Sequence, residues 1–141
     1  QAILVLHGSS LCEVDLAQVV AAHARRAADA TVVLVSVPDA SRYRRVEVDP
    51  LGRLRAIRER AEAGPGWVAA GVYCLDRSLL AALPPGPMSL EGEALPGWLS
   101  RRCYALQAFG RFLDLATPEA YAAAQAVLAA PRPAAVSRGD R

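Results

Sequence analysis

Asp114 lies in the short apolar segment 112–115, and the turn His7-Gly8-Ser9-Ser10 directly follows an apolar run; both are places where a strand end can present a polar side chain to a ligand. Read from the residues alone, Asp114 is a strand-end carboxylate held by hydrogen bonds and His7 a loop histidine without metal. Glu59 and Arg60 are a second charged pair, which by itself reads as an exposed pair on a hairpin edge. Gly64-Pro65-Gly66 does not read as a phosphate cradle, because it lies between a hairpin and a strand and opens no helix whose amides would face an anion. Trp67, Trp98 and Tyr73 could stack on a ligand, although aromatics at strand and helix positions are more often core. Cys12, Cys74 and Cys103 are widely spaced in apolar surroundings and read as small buried residues in a reducing compartment, since a disulfide or metal site needs clustered partners. His23 reads as a surface or packing residue of a helix, and Arg25-Arg26 and Arg101-Arg102 as solvated faces.

These groups are positioned by alternating strands and helices. Residues 2–6 form a continuous aliphatic run of the kind found in an interior strand with both faces covered. Asp15 caps a helix with apolar positions Leu16, Val19, Val20 and Ala27, and residues 31–37 form a second buried strand, giving a βαβ unit. Residues 45–49 and 53–58 alternate around Pro50-Leu51-Gly52 as a half-exposed hairpin. Residues 67–75 are another buried strand, 76–83 a short helix ended by Pro84-Pro85-Gly86-Pro87, and 89–99 an amphipathic helix despite Pro96. Residues 103–109 read as a strand and 112–115 as a strand end. Thr117 followed by Pro118 starts a last helix reaching about residue 130. Residues 131–141 have little to bury and read as a solvated, disordered tail.

With 141 residues, 53% of them hydrophobic, the chain can fill one core and not two. No apolar run approaches the roughly 18 residues of a membrane span, and the opening run lacks the basic leader of a signal peptide, so a cytoplasmic protein is expected. All 16 basic residues are arginine, interleaved with Asp and Glu at a net charge of +2, which implies no nucleic-acid partner. A strand as apolar as residues 2–6 needs a neighbour on each side, and nothing precedes it here; N-terminal strands are therefore expected to be missing.

In order and spacing the motifs resemble the C-terminal part of the sugar-1-phosphate nucleotidyltransferases, over residues 2–128. Leu4-Val5-Leu6-His7-Gly8-Ser9-Ser10 with Asp15-Leu16 is similar to the family strand that ends in Asn-Gly-Asp-Ser or Asn-Gly-Asp-Thr. Val37-Pro38-Asp39, Ser41-Arg42-Tyr43 and Val46-Glu47-Val48-Asp49 resemble the stretch where a Tyr-Gly-Val-Val-Glu strand enters the hairpin. Ile57-Arg58-Glu59-Arg60 stands where the family has Glu-Lys, and Ala69-Ala70-Gly71-Val72-Tyr73 where it has Asn-Ala-Gly-Val-Tyr. Leu113-Asp114-Leu115-Ala116-Thr117-Pro118-Glu119 resembles Asp-Ile-Gly-Thr-Pro-Glu. Gly64-Pro65-Gly66, Asp76-Arg77-Ser78-Leu79-Leu80 and Ser89-Leu90-Glu91 look most like the heptose- or mannose-1-phosphate guanylyltransferases.

The resemblance implies an α/β fold with a mostly parallel, Rossmann-like sheet flanked by helices and an inserted antiparallel hairpin. Residues 1–130 would be the C-terminal part of the domain. It also implies a reaction in which a nucleoside triphosphate and a sugar 1-phosphate give a nucleotide sugar and pyrophosphate, with Mg²⁺ held by two strand-end aspartates. Mg²⁺ demands oxygen ligands in octahedral geometry. Ser9 takes the place of the first aspartate, Asp114 stands at the second, and Gly8 lies at the nucleotide. Glu59 matches the glutamate that binds sugar hydroxyls, Arg60 replaces a phosphate-binding lysine, Ala69 replaces an asparagine, and Gly71 keeps its close backbone approach. The Gly-rich triphosphate loop is absent. The expectation is a chain inactive by itself, or a non-catalytic nucleotide-sugar-binding or structural subunit derived from the family, as a homo- or hetero-oligomer. A coincidental match in an unrelated α/β binding module is the third reading.

Overall fold

The computed structural model describes residues 1–59 and 63–130, so Arg60 and the expected tail at 131–141 lie outside the described residues. The elements follow in the order β1 (Ala2–Leu6), β2 (Ser10–Cys12), α1 (Leu16–Arg25), β3 (Ala30–Val37), β4 (Arg45–Val48), β5 (Leu54–Arg58) and β6 (Gly66–Asp76). After these come α2 (Arg77–Ala81), a π-helical turn (Leu90–Ala94) that runs into α3 (Leu95–Gly97), β7 (Cys103–Gln107), β8 (Phe112–Asp114) and α4 (Pro118–Ala129).

The α/β expectation, a central sheet flanked by helices with an antiparallel hairpin, holds. The strand directions are mixed. β6 runs antiparallel to β1 on one side and to β3 on the other, and β7 continues the sheet parallel to β3. β1 and β3 thus point the same way across α1 but do not pair, because β6 lies between them. The hairpin β4–β5 joins β6 on the β1 side, through Arg45 opposite Val68. An apolar run records that both faces of a strand are covered, not its direction, so the pairing was not legible in residues 2–6 or 31–37.

Alternation along the two central strands fills a core on each side. Val32 and Leu34 of β3 and Tyr73 and Leu75 of β6 pack with Leu79, Leu95 and Trp98. Val33, Val35 and Val37 with Val68, Val72 and Cys74 pack on the opposite face, against Val19 of α1. Each fully buried Leu or Val contributes roughly 1.5–3 kcal/mol relative to exposure. Residues 89–99 do not form the single α-helix expected. Pro96 has no N–H to return to Gly92, so the wider Leu90–Ala94 turn precedes a short α3. Ser89 opens this turn, its hydroxyl accepting from the Gly92 N–H at 3.0 Å while its own N–H donates to Glu93 Oε2 at 2.8 Å. Asp15, Asp76 and Thr117 cap α1, α2 and α4 by accepting from Ala17, Ser78 and Ala120.

His23 is a buried packing residue, its Nδ1 3.0 Å from Thr31 Oγ1. Burial lowers its pKa, with Asp76 and Asp29 opposing and the N-terminal ammonium adding to the effect. The unfolded chain therefore binds the proton more readily than the folded one. Stability from this group is complete above the ordinary histidine value of about 6.5 and is lost as pH falls from there through the lowered folded value. Between about pH 8 and about pH 5 the melting temperature of the protein is expected to fall more steeply than that of His23→Gln. Parallel slopes would remove His23 as the cause.

Arg26 and Arg102 lie exposed, as expected, and also make specific contacts. Arg26 lies over the Tyr104 ring at 5.0 Å and donates to Ala105 O at 3.2 Å, while Arg102 holds Asp29 at 2.8 Å. All three cysteines are free thiols. Cys103 is buried and donates to Trp98 O, and burial pushes its pKa up to about 11, which leaves it an unreactive core residue.

Candidate functional site

The site forms where β1, β6 and the β2–β8 ribbon meet. His7, just past β1, donates its N–H to Gly71 O at 2.8 Å. The chain then turns at Gly8 and Ser9, both exposed, and returns as β2, three residues with no pattern of their own that pair antiparallel with β8 and set Ser10 opposite Asp114. The Leu115 N–H donates to Ser9 O at 2.8 Å, and Ser10 Oγ donates to Ala70 O at 3.1 Å. The structure thus brings Ser9, Asp114 and the Gly71 segment together, although they are far apart in sequence.

Gly71 makes this convergence possible. Val32 pairs with Tyr73 and Leu34 with Ala69, so Ala70, Gly71 and Val72 stand opposite Val33 alone, a bulge in β6. Gly71 takes φ +77° there, and a Cβ would overlap Ser10 Oγ and lie 3.1 Å from His7 Cβ.

Asp114 is held on both carboxylate oxygens. Oδ2 accepts from the Tyr43 hydroxyl at 3.0 Å and from Arg42 at 3.3 Å, and Oδ1 accepts from the Ala116 N–H at 3.0 Å. Burial and then the Asp114 carboxylate push the Tyr43 hydroxyl above its usual range, so it remains a donor. These contacts engage Asp114 by hydrogen bonds. Beside it runs a cleft of about 440 Å³ between the loop after β3, β8 and α4, with Tyr43 set edge-on to Phe112 at 6.3 Å.

The residues matched to sugar binding lie along the hairpin and β6. Glu59 is 78% exposed, and its Oε1 accepts two bonds from Arg44, at 3.1 and 3.2 Å. Ala69 is half-buried and packs toward the Leu34 core. Between them Glu91, from the π turn, accepts a short hydrogen bond from the buried Tyr73 hydroxyl, and its Oε1 is 3.9 Å from His7 Nδ1. The His7 ring tilts against Tyr73 at 5.2 Å. Tyr73 and Trp98 are core residues, and Trp67 is half-buried against Phe109 at 6.3 Å. No role was expected for Arg42, Arg44 or Glu91. Their importance comes from partners 72, 15 and 18 residues away, which sequence spacing does not reveal.

These residues do not fit a Mg²⁺ ion. Ser9 offers a neutral hydroxyl, Asp114 is already paired with a cation, and among the described residues no three His, Cys, Asp or Glu side chains come together to hold a metal. Nor, among the described residues, is there a helix long and apolar enough to cross a membrane.

The sequence model of the nucleotidyl transferase family matches residues 1–130. A mannose-1-phosphate guanylyltransferase of Mycobacterium tuberculosis is 32% identical over 98% of this chain and 40% of its own length. A mannose-1-phosphate guanyltransferase of Schizosaccharomyces pombe is 26% identical over 83% of the chain and 33% of its own length. The chain thus spans well under half of these curated relatives. The crystal structure of HddC from Yersinia pseudotuberculosis superposes with a TM-score of 0.77 at 24% identity, covering 90% of this chain and 55% of that one, and shares its fold. A second structure of HddC, complexed with GMP-PN, superposes equally well. By sequence and by fold, the chain belongs to the nucleotidyl transferase family, as a sugar-1-phosphate nucleotidyltransferase-like domain.

Proposed function

We propose that residues 1–130 are the C-terminal part of a nucleotidyltransferase domain and supply the sugar-phosphate side of its site, without turning over as this chain. The observation that carries this is the state of Asp114, which pairs with Ser10 across the ribbon, one residue from Ser9, and is held by the Arg42 guanidinium and the Tyr43 hydroxyl. The reaction of such a site brings two polyanions into line, and catalysis is mostly positioning and charge stabilisation. A divalent ion supplies that charge when two carboxylates hold it, and this chain presents one.

In this reading Glu59 and the backbone around Gly71 face the sugar, with Ala69 offering no amide to it, and Gly8 the nucleotide; Arg60 is assigned to the phosphate by its place in the motif alone. The partners are a sugar 1-phosphate of the mannose or heptose type and a nucleoside triphosphate, in the cytoplasm. The same pairing of Asp114 also favours a second reading, a non-catalytic subunit that binds nucleotide sugar beside an active copy.

Given mannose 1-phosphate, GTP and Mg²⁺, the purified chain is expected to release no pyrophosphate above the protein-free background. Sustained release proportional to protein concentration would overturn the inactive reading.

A further inference from the structure

Two cavities meet at one pair of residues. The apolar cleft beside Asp114 and a polar notch of about 280 Å³ share Arg42 and Tyr43, and Arg44 and Glu59 complete the notch. Arg42 has one carboxylate contact, at 3.3 Å to Asp114, and its side chain is 63% exposed. A guanidinium carries five N–H donors in a planar fork, so this contact leaves most of the fork directed at solvent over the notch.

We propose that Arg42 takes the place of a divalent cation at Asp114, so that this chain binds a phosphate monoester on the guanidinium without metal. This rests on the sugar-phosphate reading above and deepens it. Asp114 has both oxygens engaged, and an incoming divalent ion would have to displace a positive charge already beside it. A phosphate meets no such obstacle. Arg42 stays on Asp114 through one nitrogen and offers the remaining N–H groups of its fork to phosphate. Tyr43 helps hold Asp114 in place, through its hydroxyl at 3.0 Å. Arg44 stands at the other side of the notch with both of its bonds on a single exposed Glu59 oxygen, a contact that leaves N–H groups for a second phosphate oxygen. Glu59 and Asp114 balance the two arginines, which sets the preference: a compact dianion gains from both forks, whereas a neutral sugar gains from neither.

The test is calorimetric titration of the whole chain with mannose 1-phosphate, inorganic phosphate and mannose, each with EDTA and with Mg²⁺ in excess. The affinity for mannose 1-phosphate is expected to agree within about twofold between EDTA and Mg²⁺, and to fall about tenfold in Arg42→Ala. Arg42→Lys, which keeps the charge but not the fork, should fall between the two. Thermal unfolding of both variants checks that they remain folded. Affinity that disappears in EDTA and returns with Mg²⁺ overturns the proposal, as does unchanged affinity in Arg42→Ala or absence of binding by either phosphate. Equal, Arg42-dependent binding of inorganic phosphate and mannose 1-phosphate would sustain the proposal while defeating the sugar reading.

Discussion

Gly71→Ala is expected to destabilise the fold by about 2–5 kcal/mol, from a left-handed backbone forced on a residue with a Cβ and from steric overlap in a packed interior. Gly71 is buried at φ +77°, and its added Cβ would overlap Ser10 Oγ with His7 Cβ 3.1 Å away. Relief has a cost: rotating Ser10 Oγ away breaks its bond to Ala70 O at 3.1 Å, and His7, beside it, is tied by its N–H to Gly71 O at 2.8 Å. A whole domain is stable by only about 5–15 kcal/mol, so a loss of this size removes much of the margin. Denaturant unfolding of the two single variants and their double separates the causes. Ser10→Ala alone loses one hydrogen bond, about 0.5–1.5 kcal/mol. In the double variant the clash with Oγ is gone, so it should cost less than the sum of the singles and retain the roughly 1–2 kcal/mol of backbone strain. Strict additivity would mean that Ser10 is not the obstacle, and a Gly71→Ala protein as stable as the parent would mean that the bulge is not as described.

That bulge shows where sequence stops being informative. The apolar strands at 31–37 and 67–75, the hairpin about Pro50-Leu51-Gly52, and the capped starts of α1 and α4 were legible because each is a local consequence of side-chain pattern, turn chemistry or a capping residue. What β6 does between β1 and β3 was not, since strand direction leaves no mark on a run of aliphatic residues. β2 was missed for a different reason. Ser10, Leu11 and Cys12 carry no alternation, and they are a strand because β8 pairs with them. The candidate site divides in the same way. Ser9, Glu59, Gly71 and Asp114 were found through their resemblance to a family motif, and the structure brings Ser9, Gly71 and Asp114 to one end of the sheet. Arg42 and Arg44 read as two more arginines in an arginine-rich chain. They matter because the loop before β4 folds back on Asp114 and the hairpin sets Arg44 against Glu59, facts of tertiary structure alone.

Gly110→Ala tests whether the ribbon is what holds Ser9 against Asp114. Gly110 has an ordinary backbone, so conformational strain is not the issue; the space is. A Cβ there would overlap the carbonyl oxygen of Glu13 and lie 3.0 Å from its Cβ and 3.1 Å from its carbonyl carbon. A side chain could rotate away, but a backbone carbonyl moves only with its strand, so the segment after β2 must separate from the turn before β8. The Glu13 N–H, which donates to Arg111 O at 2.8 Å, is broken first, and the Leu115 N–H to Ser9 O follows because the two bonds flank the same three-residue ribbon. Overpacking of this kind costs about 1–3 kcal/mol, the upper end being expected where backbone must yield. Gly97→Ala is the control: nothing lies within 4 Å of its Cβ in α3, and alanine there should be neutral or stabilising by up to about 1 kcal/mol. Amide hydrogen exchange reads the result residue by residue. In Gly110→Ala the Glu13 and Leu115 amides should exchange faster while those of β3 and β6 keep their relative protection, because a loosened ribbon leaves the central sheet paired. Uniform loss of protection across all four would show that ribbon and sheet unfold as one unit, and unchanged exchange at Leu115 would show that Ser9 is held to Asp114 by something other than the ribbon.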